Sequence, residues 1–232
     1  MEIKHLTLFT NQLEKERKFY TQTLGFDLNL DERSKFSVNI GSSELVFCKS
    51  ERAYIYHYCF LIPANQLQQG MNWLADRLSL IDLDGGRYIQ KWEEWNADSV
   101  YFYDGSGNIA EFIVRYDLLN ESNRAFNIEN ILSLNEISVP TDKVSYLCEQ
   151  FEKEMNTKLW KGDLQRFATV GDQNGLFLIP NYEFKKVWFP TLVKIEPAPF
   201  KATVVNEGIT YSLDCNLNKL KIEQITAGRS SI

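Results

Sequence analysis

Three stretches of this 232-residue chain share one pattern: IKHLTLFT at 3–10, IYHYCFLI at 55–62 and LNEISVPT at 134–141. Each is rich in branched or aromatic side chains and largely alternates, which predicts a strand with at least one face in a core. Each is also succeeded by the same features, a helical pattern and then short strand-like pieces. Such a repeat restricts the fold more than any other feature here. A unit of this size cannot bury its apolar face alone and must meet another copy.

In the first unit the spacing predicts a helix over about 12–24, with Leu13, Tyr20 and Leu24 on one face and Gly25 suited to its C-terminal cap. FDLNLDE, SKFSVNIG and ELVFCKS then read as three strands, the last two joined by Gly41-Ser42-Ser43. In the second unit Pro63 precedes a helix carrying Leu67, Met71, Leu74 and Leu78 on one side. RYIQKW, SVYFY and IAEFIVRY complete it, with DGSGN as the tight connection between the last two. Superposing the two units puts Ile3 on Ile55 and His5 on His57.

A third unit comes after the polar stretch LNESNRAFNIEN, and in it Glu136 stands where His5 and His57 stood. Its helix, expected over about 142–159, turns Val144, Leu147, Cys148, Phe151 and Met155 inward, and QRFATVG and NGLFLIP repeat the earlier strands. After Pro180 the register dissolves. KVWFPTLVKIEPAPFKATVV holds three prolines and reads as irregular, with ITYSLDCN and KLKIEQI as two further strands. The expected fold is therefore α+β, with repeated βαβββ modules forming curved mixed sheets, a degenerate third module and an irregular tail. The expected organisation is a paired domain over 1–118, a linker over 119–132, and the third module with a β-rich tail over 133–232. That last part is expected to buttress the first domain, with VWFP at 187–190 as a contact.

A net charge of −6 without a basic patch argues against nucleic acid as a partner. No apolar run approaches membrane-spanning length, and the N-terminus lacks signal-peptide architecture. Cys48, Cys59, Cys148 and Cys215 form neither a metal motif nor a disulfide framework. The expectation is a cytoplasmic protein with free thiols, a monomer or homodimer acting on a small molecule.

The chain has only two histidines, and both lie within strands. Alternation puts His5 on a face with Ile3, Thr7 and Phe9, His57 with Cys59 and Leu61, and Glu111 with Ile109, Ile113 and Arg115. A carboxylate in so apolar a strand needs a cation, a hydrogen bond or a metal. Two imidazoles and one carboxylate hold Fe(II), Mn(II), Zn(II) or Ni(II) while leaving positions open for water and substrate. Such an ion works as a Lewis acid or lowers the pKa of bound water.

The βαβββ repeat with these residues resembles the vicinal oxygen chelate superfamily, which includes glyoxalase I, bleomycin-resistance proteins, extradiol dioxygenases and fosfomycin-resistance thiol transferases. The resemblance implies that the first two units curl into one cup and that His5, His57 and Glu111 hold one divalent ion. HLT, YHYCF and SVYFYDGSGN are most similar to the fosfomycin-resistance transferases, which implies substrate-orienting roles for Lys91, Ser99 and Tyr101. Two features depart from that subfamily: Asn120 stands where an arginine is expected, and EEWNADS replaces the potassium loop. Glu44 is the only acidic candidate for the fourth ligand of glyoxalase I, and no third histidine is present for extradiol cleavage. The third repeat, with Glu136 and no histidine, is not expected to build a second site of the same kind. The resemblance implies a metal-dependent enzyme acting on a small oxygen-bearing metabolite, antibiotic or thiol adduct. Its alternative is a metal-free binding cup of the bleomycin-resistance type, lined by Trp92, Trp95, Tyr101, Tyr103 and Phe9.

Overall fold

The computed structural model describes residues 1–217 and 219–225. The first βαβββ unit comprises strand β1 (Glu2–Thr10), helix α1 (Leu13–Lys18) continuing as a π-helical turn (Phe19–Leu24), β2 (Leu28–Glu32), β3 (Lys35–Ile40) and β4 (Ser43–Lys49). The second comprises β5 (His57–Leu61), α2 (Leu67–Ala75), β6 (Gln90–Trp92), β7 (Ala97–Tyr103) and β8 (Ile109–Arg115). The third comprises β9 (Ser133–Ser138), α3 (Val144–Met155), β10 (Leu159–Gly162), β11 (Phe167–Asp172) and β12 (Gly175–Pro180). The helix periodicity translates directly into packing. Val144, Leu147, Cys148, Phe151 and Met155 are the buried face of α3, and Asn156 ends that helix in the left-handed region.

A fourth unit has strands but no helix: β13 (Phe200–Asn206), β14 (Ile209–Asn216) and β15 (Lys219–Gln224). The tail is thus irregular only between Pro180 and Phe200. β13, unforeseen in the sequence, starts directly after Pro199 and buries Phe200, Ala202 and Val204 on one face.

Within each helical unit the first strand runs parallel to the last, β1 with β4, β5 with β8 and β9 with β12. The units then join in an order that differs from the one expected over 1–118. β5 pairs antiparallel with β9, and β1 pairs antiparallel with β13. A strand has two hydrogen-bonding edges. Those of β5 are taken by β8 and β9, while those of β1 are taken by β4 and β13, so β1 meets β9 only at Ile3↔Leu134. One cup is formed by units two and three, and another by units one and four. The stretch expected as a linker ends inside the sheet. Leu132 donates its N–H to the Leu61 carbonyl and accepts from Ser42 N–H. Gly41 is required there, at φ +55°, because a Cβ would lie 2.0 Å from the Leu132 oxygen.

Leu6, Leu8, Tyr58, Phe60, Phe112, Leu134, Ile137 and Phe177 belong to the main core. Each such large side chain contributes roughly 1.5–3 kcal/mol on burial. The alternate residues of the same strands face the cups. Units one and two are locked by the DGSGN turn. Asp104 accepts from the Ser106 and Asn108 N–H groups, from Asn108 Nδ2 (2.7 Å) and from Tyr58 O–H (2.6 Å). Since the Tyr58 proton goes to Asp104, Tyr20 donates to Tyr58 across 2.6 Å. Glu16 of α1 is fully buried against this cluster. Among the described residues no helix is long and apolar enough to cross a membrane.

Candidate metal centre

β9, β5 and β8 are neighbours in that order, and their ladders bring three acid or imidazole side chains to one place. Cys59 lies opposite Glu111 on one side and opposite Glu136 on the other. His57 precedes Cys59 by two residues and therefore shares its face. With strands about 4.8 Å apart, side chains placed this way converge. The coordinating atoms of His57, Glu111 and Glu136 all lie within 4.8 Å of one another, and all three residues are buried. His57 Nε2 is 3.2 Å from Glu111 Oε2.

A bulge in β9 shapes the third corner. The ladder steps from Cys59↔Glu136 to Phe60↔Leu134, leaving Asn135 as an extra residue. Asn135 and Glu136 both reach Arg115. Its Nε donates to Asn135 Oδ1 (2.8 Å) and its Nη2 to Glu136 Oε1 (2.5 Å). Arg115 is wholly buried, with the rings of Trp160 and Trp95 at 5.5 and 5.8 Å. Burial, with Glu111 nearby, pushes the Glu136 carboxyl up, against the pull of Arg115.

The centre floors a cavity of about 540 Å³. The segment between β12 and β13 folds over it. Trp188, 2% exposed, stacks on the His57 ring at 5.4 Å, and Phe189 meets Trp92 and Tyr101 edge-on. This places the VWFP stretch against the second unit. Leu178 holds the place in unit three that Glu111 holds in unit two. Glu111 pairs with the residue two beyond His57, and Leu178 with Ser138, two beyond Glu136.

The expected site residues divide. His57 and Glu111 are together, whereas His5 is elsewhere, because β9 separates β1 from β5 by two strand spacings, about 10 Å. His5 is partly exposed, with Nδ1 3.1 Å from Glu44 Oε2 and Nε2 3.0 Å from Thr7 Oγ1. Glu44 also accepts from Ser37 (2.6 Å) and Asn29 (2.7 Å). Burial opposes its ionisation, but these bonds and His5 hold it below the usual carboxylate range. Ser99 and Tyr101 form a relay beside the centre. Trp92 Nε1 donates to Ser99 Oγ, and Ser99 donates to the Tyr101 oxygen, each at 3.0 Å. Burial, followed by Glu111, pushes the Tyr101 hydroxyl well above its ordinary range. Lys91 is exposed and lines the same cavity, as do Trp92 and Trp95. Phe9 instead borders a separate hollow, and Tyr103 is 42% exposed. Sequence reasoning did not place Glu136, Arg115 or Trp188 here, although the repeat already aligned Glu136 with both histidines.

Residues 2–76 match the model of the Glyoxalase/Bleomycin resistance protein/Dioxygenase superfamily. No curated protein matches the chain in sequence. Among solved structures the chain is similar to a V278E mutant of glyoxalase I from Zea mays, with a TM-score of 0.54 and 10% identity. That likeness, one of fold, covers 96% of this chain and 92% of that one. It is also similar to lactoylglutathione lyase from Agrobacterium tumefaciens (TM-score 0.41, 19% identity), over 48% of this chain and 92% of that one. A third is an integron cassette protein from the mobile metagenome of the Halifax Harbour sewage outfall (TM-score 0.41, 23% identity), over 48% of this chain and 97% of that one.

Proposed function

Residues 2–76 match the model of the glyoxalase/bleomycin resistance/dioxygenase superfamily and the fold is similar to that of a solved glyoxalase I, and we propose that the chain is a divalent-metal-dependent enzyme of that superfamily. It acts on a small oxygen-bearing metabolite, antibiotic or thiol adduct, as a lyase, transferase or dioxygenase. The ligands are His57, Glu111 and Glu136, and the observation that carries the reading is their mutual reach on a buried cavity floor. The donor set fits a metal. One ion bound at about 2.0–2.2 Å by nitrogen and oxygen reaches across up to about 4.4 Å, which covers the 3.2 Å between His57 Nε2 and Glu111 Oε2. Two buried carboxylates face a single guanidinium, so the floor is short of positive charge. Arg115 engages Oε1 of Glu136 and leaves Oε2 for coordination.

A bound ion supplies Lewis acidity for an oxyanion that develops on the substrate. The protein does the rest. Tyr101 accepts from Ser99 and keeps its own proton, so its O–H donates to a substrate oxygen and does not act as a base. Trp188 and Phe189 cover the floor and keep water from it. Lys91 at the rim, beside Glu93 and Glu94, donates to a polar group of the substrate. Leu178 leaves the remaining quarter of the floor apolar and without a fourth side-chain donor.

Arg115 favours a second reading. A buried guanidinium bound to Glu136 is already a resident cation, which suits a metal-free cup that sequesters a flat ligand. Metal analysis of protein purified without a histidine tag separates the two. About one equivalent of Mn, Fe, Zn or Ni supports the enzyme; none after loading with each supports the binding cup.

A further inference from the structure

Two cations, Arg166 on the third unit and Lys185 in the segment that follows it, have no role in the centre. Lys185 and Arg166 line the same cavity, and neither has a carboxylate oxygen within 4.0 Å among the described residues. Asp163, the nearest acidic neighbour of Arg166 in sequence, instead accepts from the backbone N–H groups of Gln165 and Arg166. Lys185 is half-buried, with its ammonium 4.6 Å over the Phe167 ring. Burial and the Arg166 charge lower its pKa. A desolvated cation beside a like charge is an unfavourable arrangement that an anion relieves. On the second-unit side of the cavity, Lys91 is offset by Glu93 and Glu94, so the excess positive charge lies on the opposite side, with Arg166 and Lys185. Between the two sides the walls are aromatic, with Trp92 and Trp188 among them.

We propose that Lys185 and Arg166 form an anion subsite, and that the cavity takes a flat aromatic carboxylate with its acid group on these two cations. The inference rests on the proposed centre only for which end of the ligand reacts. A fused two-ring acid suits a cavity of about 540 Å³. The guanidinium offers a planar fork to a carboxylate, and the ammonium offers a point charge.

The test is calorimetric titration of the full chain, stripped of metal by chelator, with 2-naphthoate, its neutral isostere 2-naphthamide, and cyclohexanecarboxylate. The acid is expected to bind more tightly than the other two. Lys185→Met and Arg166→Met are each expected to weaken 2-naphthoate about tenfold, the scale of one charged hydrogen bond, and to leave 2-naphthamide unchanged. Lys185→Arg is expected to restore binding, which a general packing defect would not allow. Equal losses for acid and amide, no loss for either, or equal binding of cyclohexanecarboxylate overturns the subsite. Metal stoichiometry is measured in parallel. Its loss with charge-dependent binding retained contradicts the centre alone, and the converse contradicts the subsite alone.

Discussion

Arg115 on β8 and Glu136 on β9 form a wholly buried ion pair 2.5 Å long, joining the second unit to the third at the cup floor. Removing one partner strands the other in a dry interior. Arg115→Met is expected to lower unfolding free energy by about 3–5 kcal/mol, measured by urea titration. A change below about 1 kcal/mol would mean that the pair is not desolvated.

Glu16 is fully buried beside Asp104, and burial followed by the Asp104 charge raises its pKa well above 4.5. A carboxyl raised on folding contributes stability that is full below about 4.5 and fades as pH climbs towards the folded value. Asp104 has four donors of its own and is the better anion of the two. Glu16→Gln carries no ionisation to oppose. The variant is expected to gain at least about 1 kcal/mol on wild type between pH 5 and pH 8, since a tenfold change in proton affinity on folding corresponds to about 1.4 kcal/mol. Parallel stability curves for the two proteins would refute a protonated Glu16.

Gly105 lies where α1 meets the turn between β7 and β8. A Cβ there would stand 2.6 Å from the Lys15 carbonyl oxygen and 2.9 Å from the Phe19 Cβ. The nearest obstacle is backbone and cannot rotate away. Gly105→Ala is expected to cost about 1–3 kcal/mol in thermal or urea unfolding, from overpacking between the units.

Much of this architecture was legible because it is local. The inward face of α3 is set by residues three and four apart, and β14 by the alternation that buries Tyr211, Leu213 and Cys215. β13 was hidden by Pro190, Pro197 and Pro199 just before it, which read as a break although the strand starts at the next residue. The partnership of units was not legible. Equivalent strands β1, β5 and β9 carry nearly the same pattern, and their alignment tells which residues correspond, not which edges meet. That is why His5 entered the expected ligand set and Glu136 did not. A glutamate in a histidine position reads as a lost ligand, yet a carboxylate oxygen serves an ion equally well. The ladder beside Cys59 favours Glu136, which it brings within reach of His57 and Glu111.

The centre depends on which first strand completes it, β9 or β1. Metal content of untagged His5→Ala and Glu136→Gln proteins, loaded identically and measured by plasma mass spectrometry, tests this most directly. His5→Ala is expected to keep about one equivalent and Glu136→Gln to lose it, a second-cup histidine being immaterial to the ion. Loss in His5→Ala with retention in Glu136→Gln would contradict the centre described.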